Sequence, residues 1–232
     1  MAILVEVLRD IPADFEEKEV ESILAAGRLK DKMSDIAGLI VKSRPLIEPR
    51  AVYAFDNVSR IDGDNIHLRS EHTLRSIILA DTLQPGQEIA LYVVTIGRKL
   101  EEEASELSKA NLFGALTLER IGDIAVQKAA AYLRSKIQQR MGRSISNFGP
   151  GTGTGKLFSI NQQEVLFEIL DPLRNIEVRL TPSYLMIPRK SISGVLAASN
   201  AEYVACEYCP RKCEFRRKQF SGEYRPVKCN TG

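Results

Sequence analysis

Residues 88–97 read EIALYVVTIG, a continuous apolar run that is rich in branched side chains and ends at Gly97. Such a run predicts a buried central strand, because a strand covered on both faces needs apolar residues at every position. Upstream, residues 48–70 contain two β-patterned runs joined at Asp62-Gly63-Asp64. This turn sequence tolerates positive φ, so we expect a hairpin beside the central strand.

Other segments alternate between helical and strand-like patterns. The intermixing of helices with hairpins predicts an α+β fold with a largely antiparallel sheet. Amphipathic periodicity and capping signals predict the helices, and runs broken by proline or glycine predict the strands. The predicted strands are residues 3–9 and several pieces within 175–199, and the predicted helices are residues 14–27, about 30–46, 71–83, 98 to about 140 in two parts, and 161–173.

The overall composition excludes some functional classes. The 232 residues are 44% apolar, and 32 basic residues nearly balance 30 acidic ones. A net charge of +2 gives no electrostatic reason to expect a nucleic-acid or membrane partner. The amino-terminal stretch lacks the basic region of a signal peptide, and no window approaches the ~20 apolar residues of a membrane span. We therefore predict a soluble cytoplasmic protein.

Residues 149–156, GPGTGTGK, form a glycine-rich segment that we call the glycine loop. A phosphate-binding P-loop would need glycine where Pro150 stands and serine or threonine where Leu157 stands, so that motif is excluded. A dinucleotide fingerprint also fails, because the spacing is G-x-G-x-G and the preceding element is expected to be the end of a long helix. The alternative interpretation is a mobile linker.

Three stretches carry a resemblance to a known family: residues 90–103 (ALYVVTIGRKLEEE), 118–137 (LERIGDIAVQKAAAYLRSKI) and 149–194, which ends in SYLMIPRKSISG. They resemble the reductive-activation domain of cobalamin-dependent methionine synthase and its stand-alone relatives associated with corrinoid methyltransferases. The resemblance implies a domain over residues 1–203, built on a twisted antiparallel sheet with flanking helices. In that family the domain binds S-adenosylmethionine, and inactive cobalt(II) is reduced by one electron and methylated.

The resemblance also implies the candidate ligand residues. The family's loop R-x-[SA]-P-G-Y aligns with residues 147–152, so Pro150 and Gly151 are kept. Asn147 replaces the arginine and Thr152 the tyrosine, while Gln127 stands nearest to an acidic residue of the family's long helix. These exchanges remove a guanidinium group, an aromatic ring and a carboxylate, so binding of S-adenosylmethionine is left open. The candidate ligand-binding residues are Asn147, Gly149, Pro150, Gly151, Thr152 and Tyr203.

All four cysteines lie in residues 204–232, which we call the cysteine tail: Cys206, Cys209, Cys213 and Cys229. Four clustered thiolates, absent from the rest of the chain, predict a metal-binding tail that holds zinc or an iron–sulfur cluster. The spacing does not separate these two metals. From Cys206 to Gly232 seven Lys or Arg face three Glu, a net of +4 that would offset thiolate charge. Free thiols in a floppy tail and redox disulfides are the alternatives.

These features lead to three functional hypotheses. The first is an accessory protein that binds a corrinoid protein or methyltransferase and assists its reductive activation, with an iron–sulfur cluster in the tail supplying or relaying the electron. The second is a non-enzymatic docking or scaffold module with a structural zinc and no S-adenosylmethionine binding. The third is a classical S-adenosylmethionine-dependent activator, which the exchanges at Asn147 and Thr152 weaken. Whether the protein turns over as an enzyme is left open.

Overall fold

The computed structural model describes residues 3–12, 15–26, 36–199, 203–212 and 216–224. Helices and strands alternate along this part of the chain, as the sequence patterns predict. The strands are β1 (Val5–Leu8), β2 (Arg50–Asp62), β3 (Asn65–Leu68), β4 (Thr73–Arg75), β5 (Glu88–Thr95), β6 (Ile145–Phe148), β7 (Arg179–Leu180), β8 (Met186–Ile187) and β9 (Ser191–Ala198). The α-helices are α1 (Glu17–Ala26), α2 (Ile36–Ser43), α3 (Ile77–Thr82), α4 (Lys99–Leu107), α5 (Leu112–Met141), α6 (Gln163–Leu170) and α7 (Pro172–Ile176).

Strand β5 is the centre of a seven-stranded antiparallel sheet. The strand order is β4-β3-β2-β5-β9-β6, and β1 pairs with the part of β2 that also pairs with β5. Every residue of β5 from Ile89 to Thr95 is buried, because helices and connecting segments cover both faces. The predictions of a buried central strand, of the β2–β3 hairpin and of an α+β fold with an antiparallel sheet are confirmed.

The prediction of one helix over residues 71–83 was wrong in part. Residues 73–75 form strand β4 rather than the start of a helix, since Leu74 is buried opposite Ile66 on β3. Helix α3 begins only after Ser76, whose Oγ accepts a hydrogen bond from the Leu79 amide at 3.2 Å. A side-chain cap of this kind fixes a helix start where the propensity of single residues does not.

The element before the glycine loop is strand β6 and not the end of a long helix, so that prediction was wrong. Helix α5 ends at Gly142, which has a φ of 63°, and β6 follows within three residues. Strand β6 pairs with β9, with Asn147 opposite Leu196. The glycine loop therefore leaves the sheet from its edge strand, and β9 anchors its amino-terminal end.

Helix α5 lies against the sheet and against helices α1, α2 and α4. Gly122 on this helix gives room to the side chain of Lys190, since a Cβ atom there would lie 3.1 Å from Lys190 Cε and 3.2 Å from Leu100 Cδ2. The close approach that Gly122 allows is thus used for packing within the chain. In the described part of the chain, no helix has the length and apolarity needed to cross a membrane.

Candidate functional site around the glycine loop

The glycine loop is closed by its own hydrogen bonds. The Gly151 amide donates to the Phe158 carbonyl at 2.8 Å, and Thr152 Oγ1 donates to the Gly149 carbonyl at 2.8 Å. The Gly155 amide donates to the Thr152 carbonyl at 3.1 Å. These bonds make consecutive tight turns, which need the positive φ values found at Gly151, Gly153 and Gly155.

The side chain of Asn147 is hydrogen-bonded to another residue of the sheet. Its Oδ1 accepts a hydrogen bond from the hydroxyl of Tyr92 at 2.9 Å, and burial raises the pKa of that phenol. Gly194 on β9 leaves the space for this pair, because a Cβ there would lie 2.8 Å from Asn147 Oδ1. The side-chain oxygen of Asn147 is thus already bonded to the sheet.

A first cavity, of about 440 Å³, lies between the glycine loop and the β7–β8 hairpin. Buried Gln163 joins its walls: its Nε2 donates to the Tyr184 carbonyl at 2.9 Å, and its Oε1 accepts from Ser193 Oγ at 2.9 Å. The SYLMIPRKSISG segment therefore both holds the fold and lines the cavity. The lining residues are Asn147, Gly149, Pro150, Thr152, Ile160, Gln163, Tyr184, Leu185, Met186, Arg189, Ser191, Ile192 and Ser193.

A second cavity, of about 690 Å³, lies between the glycine loop and the cysteine tail, and we call it the tail cavity. Tyr203 forms part of its wall and stacks on Phe148, with ring centroids 5.1 Å apart. The Tyr203 amide donates to Ser146 Oγ at 3.3 Å, which ties the start of the tail to β6. The lining residues are Arg134, Asn147, Gly149, Thr152, Gly153, Tyr203, Val204, Ala205, Cys206, Arg217 and Lys218.

The structure brings four of the six candidate ligand residues to the tail cavity: Asn147, Gly149, Thr152 and Tyr203. Pro150 lines only the first cavity. Gly151 packs beside Ile160, whose Cβ would lie 3.0 Å from a Cβ at position 151. The loop thus lies between the two cavities, and Asn147, Gly149 and Thr152 line both of them.

Arg217 contributes a contact that the sequence analysis did not find. Its Nη2 donates to Gln127 Oε1 on helix α5 at 2.6 Å, which joins the tail to the helix across the tail cavity. Gln127 is the residue that the resemblance sets nearest to the acidic residue of the family's helix, and an arginine of the tail contacts it. The basic character of the tail was the available signal, but its contact on the helix had no sequence signature.

The described part of the cysteine tail is organised by Arg216. Its guanidinium donates to four backbone carbonyls, those of Cys206 at 2.8 Å, Cys209 at 2.7 Å, Arg211 at 2.6 Å and Lys218 at 3.4 Å. Cys206 lies in a 3₁₀ turn, and the Cys209 amide donates to its carbonyl at 3.3 Å. Both thiols are free and half-buried.

The predicted metal site extends beyond the residues that can be described. Cys213 and Cys229 lie outside the described ranges. Within those ranges, no group of three or more His, Cys, Asp or Glu side chains could hold a metal ion. Ligation by Cys206, Cys209, Cys213 and Cys229 stays a prediction.

Residues 148–213, which include the glycine loop, the β7–β8 hairpin and the described 3₁₀ turn of the tail, match the family model for the activation domain of vitamin B12 dependent methionine synthase. The chain is activation-domain-like. The fold agrees with the crystal structure of the MetH reactivation domain bound to AdoHcy, at a TM-score of 0.69 and 15% identity, over 88% of this chain and 81% of that one. No curated protein matches the sequence. The resemblance found in the sequence is confirmed.

A partly buried ion cluster supports the first cavity of this activation-domain-like chain. Lys190 Nζ, on a side chain that is 12% exposed, contacts Glu119 at 2.8 Å and Asp123 at 2.7 Å. Burial alone raises the pKa of Glu119, but hydrogen bonds and charge from Lys190 and Arg189 outweigh it and hold the pKa below its ordinary 4.5. The cluster therefore favours the folded state at neutral pH.

Replacing Lys190 by methionine, which keeps the buried stem, should lower the free energy of unfolding at pH 7 by about 2 kcal/mol, since Glu119 and Asp123 lose the cation that they share. Glu119 contributes stability that is present above its unfolded pKa and is lost as pH falls through the lower folded pKa. In K190M this acid-induced loss should start at higher pH, as urea unfolding between pH 3 and 7 would show. Lys99→Met, which breaks a surface pair with Glu48, is the control, with an expected change below about 1 kcal/mol.

The phenol of Tyr203 should ionise at a higher pH than an ordinary tyrosine. Burial raises its pKa to about 12 and outweighs the opposing hydrogen bond with Thr152. Because this folded pKa lies above the ordinary tyrosine pKa of 10.0, the contribution of Tyr203 to stability is complete below about pH 10 and is lost as pH rises through about 12. The absorbance at 295 nm of the wild type minus that of Tyr203→Phe should show a midpoint near pH 12 while circular dichroism reports an intact fold.

A second variant tests the cause of the Tyr203 shift. Thr152→Val removes a hydrogen bond that lowers this pKa, so the midpoint should move to higher pH. A difference titration centred near pH 10 in the folded protein would show that Tyr203 is solvated and not packed against Phe148.

Proposed function

We propose that this chain is a cytoplasmic accessory protein of corrinoid-dependent methyl transfer, which binds a corrinoid protein and assists its reductive activation. One observation carries the proposal: the segment that matches the activation-domain family, residues 148–213, supplies most of the residues lining both cavities at the glycine loop. The similar fold of a MetH reactivation domain bound to AdoHcy supports a ligand site in this region.

The residues present do not fit S-adenosylmethionine with the contacts of the family. Asn147 accepts its hydrogen bond from Tyr92, and Gln127 accepts one from Arg217. The described residues that line the tail cavity carry no carboxylate that could face a sulfonium or an ammonium group. We therefore derive no methylation step from this chain, and assign it binding of the partner and support of reduction.

The rim of the first cavity offers a surface for the corrinoid partner. Leu185 is 59% exposed and Ile160 is 38% exposed, beside the hydroxyls of Ser191 and Ser193. Exposed apolar side chains next to convergent polar groups are typical of sites that bind large, mostly apolar ligands. The corrinoid protein would present the face of its cofactor here, on the side of the glycine loop opposite to the cysteine tail.

The cysteine tail would hold the metal that the sequence predicts. Cys206, Cys209, Cys213 and Cys229 would provide four thiolates, and the described pair already lies in a turn ordered by Arg216. An iron–sulfur cluster would provide one-electron chemistry, whereas zinc would only stabilise the tail. Metal analysis with a visible spectrum after anaerobic purification separates them, since a cluster gives iron and a broad band near ~400 nm.

The corrinoid role is tested with a cobalamin-binding methionine synthase fragment loaded with cob(II)alamin. We expect a complex in calorimetry and faster loss of the cobalt(II) spectrum under a low-potential reductant when this chain is added. Leu185→Glu should abolish both effects. Leu173→Glu, at a side chain that is also 59% exposed but does not line either cavity, should leave them unchanged. The proposal would be refuted if no complex formed, or if both variants lost complex formation and the faster cobalt(II) reduction to the same extent.

A docking module with a structural zinc is the second candidate, and the commitment of Asn147 and Gln127 to contacts within the chain favours it over a classical activator. This module would bind the corrinoid fragment without changing the rate of cobalt reduction. Its purified form would contain zinc and no iron, and calorimetry with S-adenosylmethionine would show no binding. The same three measurements thus separate the candidates.

A further inference from the structure

The glycine loop has a backbone geometry suited to an anion. Its φ angles alternate in sign, positive at Gly151, Gly153 and Gly155 and negative at Thr152 and Thr154. Peptides of alternating handedness can turn neighbouring N–H groups toward one side and form a concave anion site. In this loop the amides of Gly151, Thr152 and Gly155 already donate to backbone carbonyls, which leaves those of Gly153 and Thr154. Among the described residues, no acceptor takes the amide protons of Gly153 or Thr154. Gly153 itself lines the tail cavity.

Cationic side chains surround the same cavity. Arg217 comes from the tail, and toward the described residues its hydrogen bond is from Nη2 to the neutral amide of Gln127 at 2.6 Å. A guanidinium has five N–H donors, so Arg217 can bind an oxyanion without leaving Gln127. Arg134 and Lys218 also line the cavity, with Arg134 bonded to the Ile145 carbonyl and Lys218 paired with Glu207 outside the lining, and the described lining itself carries no acidic side chain. Thr152 and Tyr203 also form part of the wall, where the Thr152 hydroxyl already donates to the Gly149 carbonyl.

From this arrangement we infer that the tail cavity binds a multivalent oxyanion, a phosphate-bearing or polycarboxylate small molecule, between the glycine loop and Arg217. Its volume of about 690 Å³ is that of a small-molecule site. The inference deepens the proposed ligand site of the activation-domain fold, but it does not depend on the corrinoid partner. The tail thereby becomes part of the binding site, since it provides Arg217, Lys218 and the wall from Tyr203 to Cys206.

The inference is tested by calorimetry of the full chain with inorganic pyrophosphate. A parallel titration with citrate distinguishes phosphate from carboxylate ligands. We expect one of the two anions to bind, and binding to weaken with added salt. Arg217→Gln should weaken it by about tenfold or more, as expected for loss of one charge-assisted hydrogen bond. Arg211→Gln, an exposed arginine of the same tail outside the cavity lining, should stay within about twofold of the wild type.

The loop is tested by a matched pair of glycines. Gly153→Ala and Gly155→Ala carry similar backbone strain, with φ of 65° and 72°, but only Gly153 lines the cavity, and only there would the new Cβ lie close to another backbone atom, 3.1 Å from the Ala205 carbonyl oxygen. Gly153→Ala should lose at least about tenfold in affinity and Gly155→Ala much less, and the melting temperatures of the two variants show how far the Ala205 contact alone disturbs the fold. If the anions instead removed a metal ion from the tail, the heat of that reaction would be the same for R217Q and R211Q.

Three results would overturn the inference. They are no binding of either anion at millimolar concentration, equal affinities for R217Q and R211Q, and displacement of the bound anion by a lower concentration of S-adenosylmethionine. None of these results bears on complex formation with the corrinoid fragment, which uses the other side of the loop. Failure of the anion site and failure of the corrinoid role are therefore distinguishable.

Discussion

Replacing Gly194 by valine should lower the free energy of unfolding by about 3 kcal/mol, because strand β9 has no space for a side chain there. A Cβ atom would lie 2.8 Å from Asn147 Oδ1, 3.0 Å from the Phe148 carbonyl oxygen and 3.0 Å from Tyr92 Cε1. One of these neighbours is backbone, so relief requires β6 to move away from β9. The substitution would displace the strand that starts the glycine loop.

The chain has no tryptophan, so unfolding in urea is best followed by far-ultraviolet circular dichroism. Ala198→Val adds bulk to the same strand at a half-exposed position and should cost less than about 1 kcal/mol. Adding Asn147→Ala to the Gly194 variant should recover part of the loss, because it removes the nearest contact and leaves the backbone contact in place. Equal stability of the Gly194 and Ala198 variants would show that β6 and β9 are not packed as described.

The centre of the fold could be predicted because its signals are local. The run at β5 is apolar at every position, and burial on both faces is the physical reason. The β2–β3 hairpin follows from Asp62-Gly63-Asp64, where Gly63 has the positive φ that the turn requires. These elements form in the structure where their own residues place them.

Strands β4 and β6 could not be predicted in this way. Each has only three or four residues, and its extended state depends on pairing, of β4 with the neighbouring strand β3 and of β6 with β9 much further along the chain. Ile145 lies opposite Ala198, and Leu74 opposite Ile66. Short segments carry too few residues to establish a period, so tertiary pairing overrides their local preference.

The candidate site was predictable only in part, because some of its contacts join residues that are distant in the chain. The resemblance located Asn147, Gly149, Thr152 and Tyr203, which the structure brings to one cavity. It did not distinguish Pro150, which lines only the first cavity, from Asn147, Gly149 and Thr152, which line both. The contact between Arg217 and Gln127 joins residues 90 positions apart, and no sequence pattern predicts such a pair from one chain.

Cys206→Ser should abolish the metal content of the anaerobically purified protein, the largest effect expected for any single substitution in the tail. Loss of one of four thiolate ligands opens the site to water and to competing chelators. Inductively coupled plasma analysis for iron and zinc measures the result directly. An unchanged metal content in the Cys206 and Cys209 serine variants would show that these thiols are not ligands.

Arg216→Gln should lose most of the metal as well, although it removes no ligand. Its guanidinium holds the carbonyls of Cys206 and Cys209 at 2.8 and 2.7 Å, and thereby fixes the turn that presents both thiols. Without Arg216, metal binding must also order the chain, and one charged hydrogen bond to a carbonyl contributes about 1.5–3 kcal/mol. We expect metal retention under a chelator to fall by at least about tenfold relative to Arg211→Gln, which keeps the Arg216 contacts. Equal retention in the two variants would mean that the thiolates fold the tail around the metal unaided, and that Arg216 only packs the finished site.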